Sequence, residues 1–200
     1  MDHAGRADVI VLGLPRGGVV VAAEVAAALD APLDAFLVRK LGVPGYPEFA
    51  MGAVAEGGVR VLGEQTIRAL GVSKAAIDDV TARERRELER RATAFRGARP
   101  PAAIRDRTVI LIDDGLATGA TMEAAVMALR DQHPARIVIG VPVGARETCE
   151  RLARLVVDTL VCLDMPEPFE AVGLWYRDFS QTTDEEVRLL LAATHRPATS

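Results

Sequence analysis

Apolar residues along this chain come in short bursts, separated by glycine, proline or charged punctuation. Asp8–Leu14 is one such burst, ended by Pro15 and two glycines, and its unbroken apolar character predicts a strand buried on both faces. Val19–Leu29 is alanine-rich, with one glutamate and no breaker, and predicts a helix despite its valines. Leu33–Val38 reads as a second strand. Gly42–Pro47 reads as a loop, and Phe49–Val54 with Val59–Leu62 as a hairpin around Glu56-Gly57-Gly58.

From Ser73 the pattern changes. Ser73–Arg96 is charged, with sparse apolar positions at Ile77, Val80, Leu88, Ala92 and Phe95. It predicts a solvated helix capped by Ser73, supported by the pairs Asp79–Arg83 and Glu87–Arg91 four residues apart, and closed by Pro100-Pro101. Strands are then expected at Thr108–Ile112, Arg136–Val141 and Val156–Leu163, and helices at Gly119–Arg130 and Arg146–Leu155. The tail holds an aromatic group, Trp175, Tyr176 and Phe179, and a last helix, Asp184–Ala193, with Thr183 as cap and Glu186 in capping-box position. Strands alternating with helices predict an α/β fold: a mostly parallel sheet of about five strands, flanked by helices. Residues 1–200 are expected to form one domain, with an insertion at about 63–101 and a small hood-like tail at about 164–200.

Composition narrows the function classes. The longest apolar runs, Val19–Ala23 and Val25–Leu29, are far too short to cross a bilayer, and Met1–Arg6 does not look like the head of a signal peptide. A cytoplasmic protein without a membrane partner is expected. A net charge of −4 gives no general pull toward nucleic acid. Cys149 and Cys162 lack metal or redox spacing and read as reduced thiols. His3, His133 and His195 lie too far apart to suggest a zinc site. Serines occur only at positions 73, 180 and 200, without Gly-x-Ser-x-Gly, which disfavours a common serine hydrolase. No Gly-Lys-Ser/Thr is present, which disfavours a P-loop ATPase.

The chemistry gathers after two strands. Val109–Ile112 is followed by Asp113-Asp114-Gly115-Leu116-Ala117-Thr118-Gly119-Ala120-Thr121. In an open parallel sheet, ligands bind off the carboxyl ends of the strands. Backbone N–H groups at a helix start attract phosphate, Thr118 and Thr121 add hydroxyls, and Gly119 permits close approach. Asp113 and Asp114 can accept from a vicinal diol or attract magnesium. After the first strand, Pro15-Arg16-Gly17-Gly18 offers a second anion site, with exposed amides and a guanidinium fork. Arg39-Lys40 follow the second strand, which places a basic pair at its carboxyl end.

The segment Val109–Thr121 resembles the signature with which type I phosphoribosyltransferases bind 5-phosphoribosyl-1-pyrophosphate (PRPP). The resemblance implies that Asp113 and Asp114 hold the ribose hydroxyls and, directly or through water, Mg2+. Gly115 and Leu116 lead into a loop, Ala117–Thr121, that wraps the 5′-phosphate. Hypoxanthine-type members carry an aspartate in place of Ala117, whereas adenine and uracil enzymes carry Ala-Thr-Gly, as here. Pro15, Arg16, Gly17 and Gly18 look like the family's pyrophosphate loop, which often holds a non-proline cis peptide, expected here near Arg16-Gly17. Lys40 and Arg39 would add charge to that site. The run Val38–Ala53 is similar to a subgroup of bacterial phosphoribosyltransferase-like proteins of unsettled substrate.

Family members also close a flexible segment over the site. Glu64–Arg99 occupies that place, with Arg83 and Arg86 as candidates to reach pyrophosphate. The tail, Pro166–Gln181, would supply the hood, with Trp175 and Tyr176 able to stack on a base. The implied activity is transfer of the 5-phosphoribosyl group from PRPP to a nitrogen acceptor, a nucleobase, with release of pyrophosphate. Homodimers are common in the family. No residue stands out as a general base. A PRPP-binding regulator without turnover, or a hydrolase using the same crevice, remains open at this stage.

Overall fold

The computed structural model describes residues 3–155 and 158–194. Its central sheet contains β1 (Val9–Gly13), β2 (Leu33–Ala35), β6 (Thr108–Ile112), β7 (Arg136–Val143) and β8 (Thr159–Asp164). All neighbours are parallel, in the order β2-β1-β6-β7-β8. Side chains alternate across it as the pleat requires. Val9, Val11, Ile110 and Ile112 join one buried cluster; Ile10, Leu12, Val109 and Leu111 join the other. Helices α1 (Gly17–Leu29), α3 (Lys74–Arg96) and α6 (Asp184–Ala193) contribute to the first cluster. Helices α4 (Ala120–Arg130) and α5 (Arg146–Leu155) contribute to the second. The capping box expected at Thr183 is present: Thr183 Oγ1 accepts from the Glu186 amide at 3.1 Å, and Glu186 Oε2 accepts from the Thr183 amide at 2.6 Å.

Three regions depart from the sequence pattern. The strand expected at Leu33–Val38 is two strands in two sheets. After β2 the chain makes a last bond to β1, from the Phe36 amide to the Gly13 carbonyl, and then peels away. It enters an antiparallel sheet of β3 (Val38–Val43), β4 (Tyr46–Ala55) and β5 (Arg60–Leu62). The loop expected at Gly42–Pro47 shrinks to a turn at Pro44-Gly45, because proline followed by a glycine at φ 83° suits a tight reversal. The Val156 start of the last expected strand lies outside the described residues, and β8 runs from Thr159 to Asp164.

The helix expected to be solvated, α3, follows the short α2 (Glu64–Ala69) and carries a buried stripe: Ile77, Val80, Thr81, Glu84, Leu88, Phe95 and Arg96. Spacings of three, four and seven put these residues on one face, packed against β3 and α6. The helix keeps the expected Glu87–Arg91 pair at 2.8 Å, whereas Arg83 turns to Glu84 at 3.1 Å. At the end of the stripe, the buried Arg96 guanidinium pairs with Asp34 on β2 at 3.3 Å and with Glu56 beyond β4. Asp34 also accepts from the amides of Ala35 and Ala102 at 2.8 and 2.9 Å. This network fastens the second sheet and α3 to the edge of the first. Among the described residues, no helix is long and apolar enough to cross a membrane.

Candidate active site

β1 and β6 are neighbours, with Gly13 beside Ile112, so the loops that leave them lie side by side at the carboxyl edge of the sheet. The contact is close enough to require glycine. A Cβ on Gly17 would run into the Asp114 carboxylate, and one on Gly18 would stand 2.9 Å from both Asp113 Cα and the Ile112 carbonyl. The peptide between Pro15 and Arg16 is cis, one residue before the expected position. Arg16 precedes α1, and its guanidinium lies 3.6 Å from Asp184 at the start of α6.

Asp113 Oδ1 accepts from the Asp114 amide at 2.9 Å. Burial, reinforced by the neighbouring Asp114 charge, pushes the Asp113 carboxyl up to about 7. Burial raises Asp114 as well. The Tyr176 hydroxyl donates to the Asp114 carbonyl at 2.6 Å, which seats the tail against the acidic pair. Burial, with the nearby Asp114 and Asp113 charges, pushes this phenol up to about 12.

The following loop is tied on its outer side. The Ala145 amide donates to the Leu116 carbonyl at 2.8 Å, Thr148 Oγ1 to the Ala117 carbonyl at 2.7 Å, and the Arg151 guanidinium to the Thr118 carbonyl at 2.7 Å. Gly119, at φ 74°, caps α4. Among the described residues, the amides of Ala117, Thr118 and Gly119 donate no hydrogen bond within the protein, and neither do those of Gly17 and Gly18. Unpaired amides at two adjoining helix starts make an anion-binding surface.

Two clefts open beside these loops. One, of about 570 Å³, is lined by Pro15, Arg39, Lys40, Arg83, Glu84, Arg91 and Thr121. Arg39 and Lys40 are not at the carboxyl end of a central strand, as expected, but lie inside β3 and reach the cleft from the second sheet. Arg39 spends its guanidinium on Glu84, at 2.8 Å. Arg86 is exposed and does not line this cleft; Arg91 does. Helical geometry explains the exchange: Glu84 and Arg91, seven apart, share a face that Arg86 does not.

The second cleft, of about 370 Å³, is lined by Arg16, Gly17, Val20, Asp114, Tyr176, Asp178 and Phe179 among others. Tyr176 and Phe179 meet with ring centroids 5.1 Å apart. Trp175, expected to share the stacking, is 47% exposed and does not line this cleft; Phe179 takes its place. The sequence pattern did not single out Arg91, Thr148 or Arg151, and it named Phe179 only as part of the tail's aromatic group. A helical-face count would have signalled Arg91, but nothing local signals residues 148 and 151, which reach the loop from another element. Among the described residues, no three metal-ligating side chains gather.

Comparison with known proteins gives a consistent answer. Residues 1–176 match the family model described as phosphoribosyl transferase domain. Two Mycobacterium tuberculosis proteins, provisionally named phosphoribosyl transferases Rv0571c (strain H37Rv) and MT0597 (strain CDC 1551), are each 47% identical over 193 residues. The match covers 96% of this chain and 43% of theirs, so the chain spans less than half the length of these relatives. The crystal structure of TT1426 from Thermus thermophilus is similar with a TM-score of 0.87 at 47% identity, covering 94% of this chain and 89% of that one. With the family model spanning β1 through Tyr176, and the paired loops in place at the sheet edge, this chain belongs to the phosphoribosyl transferase domain family.

Proposed function

We propose that this chain transfers the 5-phosphoribosyl group of PRPP to the nitrogen of a nucleobase, releasing pyrophosphate. The observation that carries the reading is the pair of adjoining loops, with their unpaired amides beside the Asp113-Asp114 carboxylates. The amides of Ala117, Thr118 and Gly119, with the Thr118 and Thr121 hydroxyls, hold the 5′-phosphate. Asp113 and Asp114 accept from the ribose hydroxyls. The amides of Gly17 and Gly18, after Pro15, hold the pyrophosphate together with Arg16, Lys40 and Arg83, while Arg39 stays on Glu84. The C1–O bond to pyrophosphate breaks with oxocarbenium character at the sugar, the acceptor nitrogen forms the new bond to C1, and the proton of that nitrogen passes to water. Fixed amides and cations facing the departing pyrophosphate stabilise the charge it gains, and joint binding places acceptor and donor in reach.

Magnesium fits this donor set. Mg2+ is commonly held by one or two carboxylates together with substrate phosphates and water, and two adjacent carboxylates without a third protein ligand suit that role. Asp113 and Asp114 would hold it, directly or through water. When bound, it would neutralise phosphate charge.

The cleft bounded by Tyr176 and Phe179 suits a flat acceptor, with an aromatic wall and polar groups at its rim. Homodimer assembly belongs to the same proposal; Val161 and Leu163, exposed on the edge strand β8, support a partner there. The test is to incubate the protein with PRPP, magnesium and a panel of bases and to follow pyrophosphate. Release that depends on one base supports the transferase. Saturable PRPP binding without turnover points to a regulator, and base-independent release of ribose 5-phosphate to a hydrolase.

A further inference from the structure

Three donors three residues apart meet the loop at the entry of α5: the Ala145 amide, Thr148 Oγ1 and the Arg151 guanidinium. They take three consecutive carbonyls, those of Leu116, Ala117 and Thr118. The cis peptides of the described chain lie elsewhere, so these three peptides are trans. In a trans peptide the carbonyl and the following N–H point in opposite directions. Drawing the carbonyls of residues 116, 117 and 118 toward α5 therefore turns the amides of Ala117, Thr118 and Gly119 to the other side. Those are the amides without a partner in the protein. Gly119, at φ 74° and ψ 1°, supplies the left-handed residue that lets successive N–H groups converge.

From this stereochemistry we infer that Thr148 and Arg151 are positioning residues, which preset the amide cradle for a terminal phosphate by holding the carbonyls behind it. The inference rests on the phosphoribosyl reading of the loop. Thr148 is 7% exposed, so its hydroxyl has no competing water partner of consequence, and its methyl fills the space that a Gly119 side chain would need. Arg151 also pairs with Glu123 on α4, so one guanidinium couples the loop to the helix it opens.

The test compares two ligands of opposite ends of the site, ribose 5-phosphate and pyrophosphate, by calorimetry. Thr148→Val keeps the shape and removes the donor. It should weaken ribose 5-phosphate binding by about tenfold or more, as expected for a misdirected hydrogen bond to a charged group. Pyrophosphate affinity should stay within about twofold of wild type, since that end is served by Gly17 and Gly18. Thr148→Ser should restore binding. Arg151→Met, at a side chain 40% exposed, makes the same test on the Thr118 carbonyl without touching the buried position. Unchanged ribose 5-phosphate affinity in both T148V and R151M, or equal losses for both ligands, would overturn the inference. Wild-type protein that binds pyrophosphate but no ribose 5-phosphate would overturn the phosphoribosyl reading along with it.

Discussion

Replacing Asp113 with asparagine should stabilise the ligand-free protein while impairing its site. Burial and the Asp114 charge lift the Asp113 carboxyl from 3.8 to about 7. Between these values the folded chain holds a proton that the unfolded chain has released. Stability from this group is therefore full below about pH 4 and is lost as pH rises through 7. At about 1.4 kcal/mol per pH unit, the loss is between about 4 and 5 kcal/mol at most, less whatever Asp114 shares of it. Asparagine keeps the acceptor for the Asp114 amide and cannot ionise. Urea denaturation of both proteins, in EDTA, should show stabilities within about 1 kcal/mol at pH 4.5. At pH 8 the variant should be the more stable by about 2–4 kcal/mol. The same substitution should weaken binding of magnesium–PRPP, the trade of stability for function expected where a charge is kept buried for a ligand. A stability difference that does not change between pH 4.5 and 8 would refute the electrostatic reasoning.

Gly119→Ala should lower PRPP affinity and cost about 2–4 kcal/mol in urea melts: alanine disfavours positive φ, and its Cβ would lie 2.7 Å from Thr148 Cγ2. Arg96→Met should destabilise by about 3–5 kcal/mol in urea melts, because it removes the buried cation that Asp34 and Glu56 share. Tyr176→Phe removes the 2.6 Å bond to the Asp114 carbonyl and should cost about 1 kcal/mol of stability, and raise the KM of the acceptor more than that of PRPP in steady-state kinetics.

The central strands and the loop after β6 were legible because their signals are local: unbroken apolar runs, paired aspartates, a glycine at a helix start. Two features were not. Where the chain leaves the first sheet, Asp34 is held by Arg96 and Ala102, residues more than sixty positions away. The buried face of α3 was masked by the arginines and glutamates between its sparse apolar positions; the stripe appears only when β3 and α6 pack against it. The site followed the same rule. Asp113, Asp114 and the glycines sit in the motif, whereas Thr148 and Arg151 reach the loop from an element whose placement no local pattern encodes.

Calorimetric titration of PRPP with magnesium into the wild-type protein and into Asp114→Asn tests the central claim most directly. The account predicts saturable one-site binding to the wild type, and at least about tenfold weaker binding to a variant that melts normally. No heat with the wild type, or equal affinity in the two proteins, would contradict it.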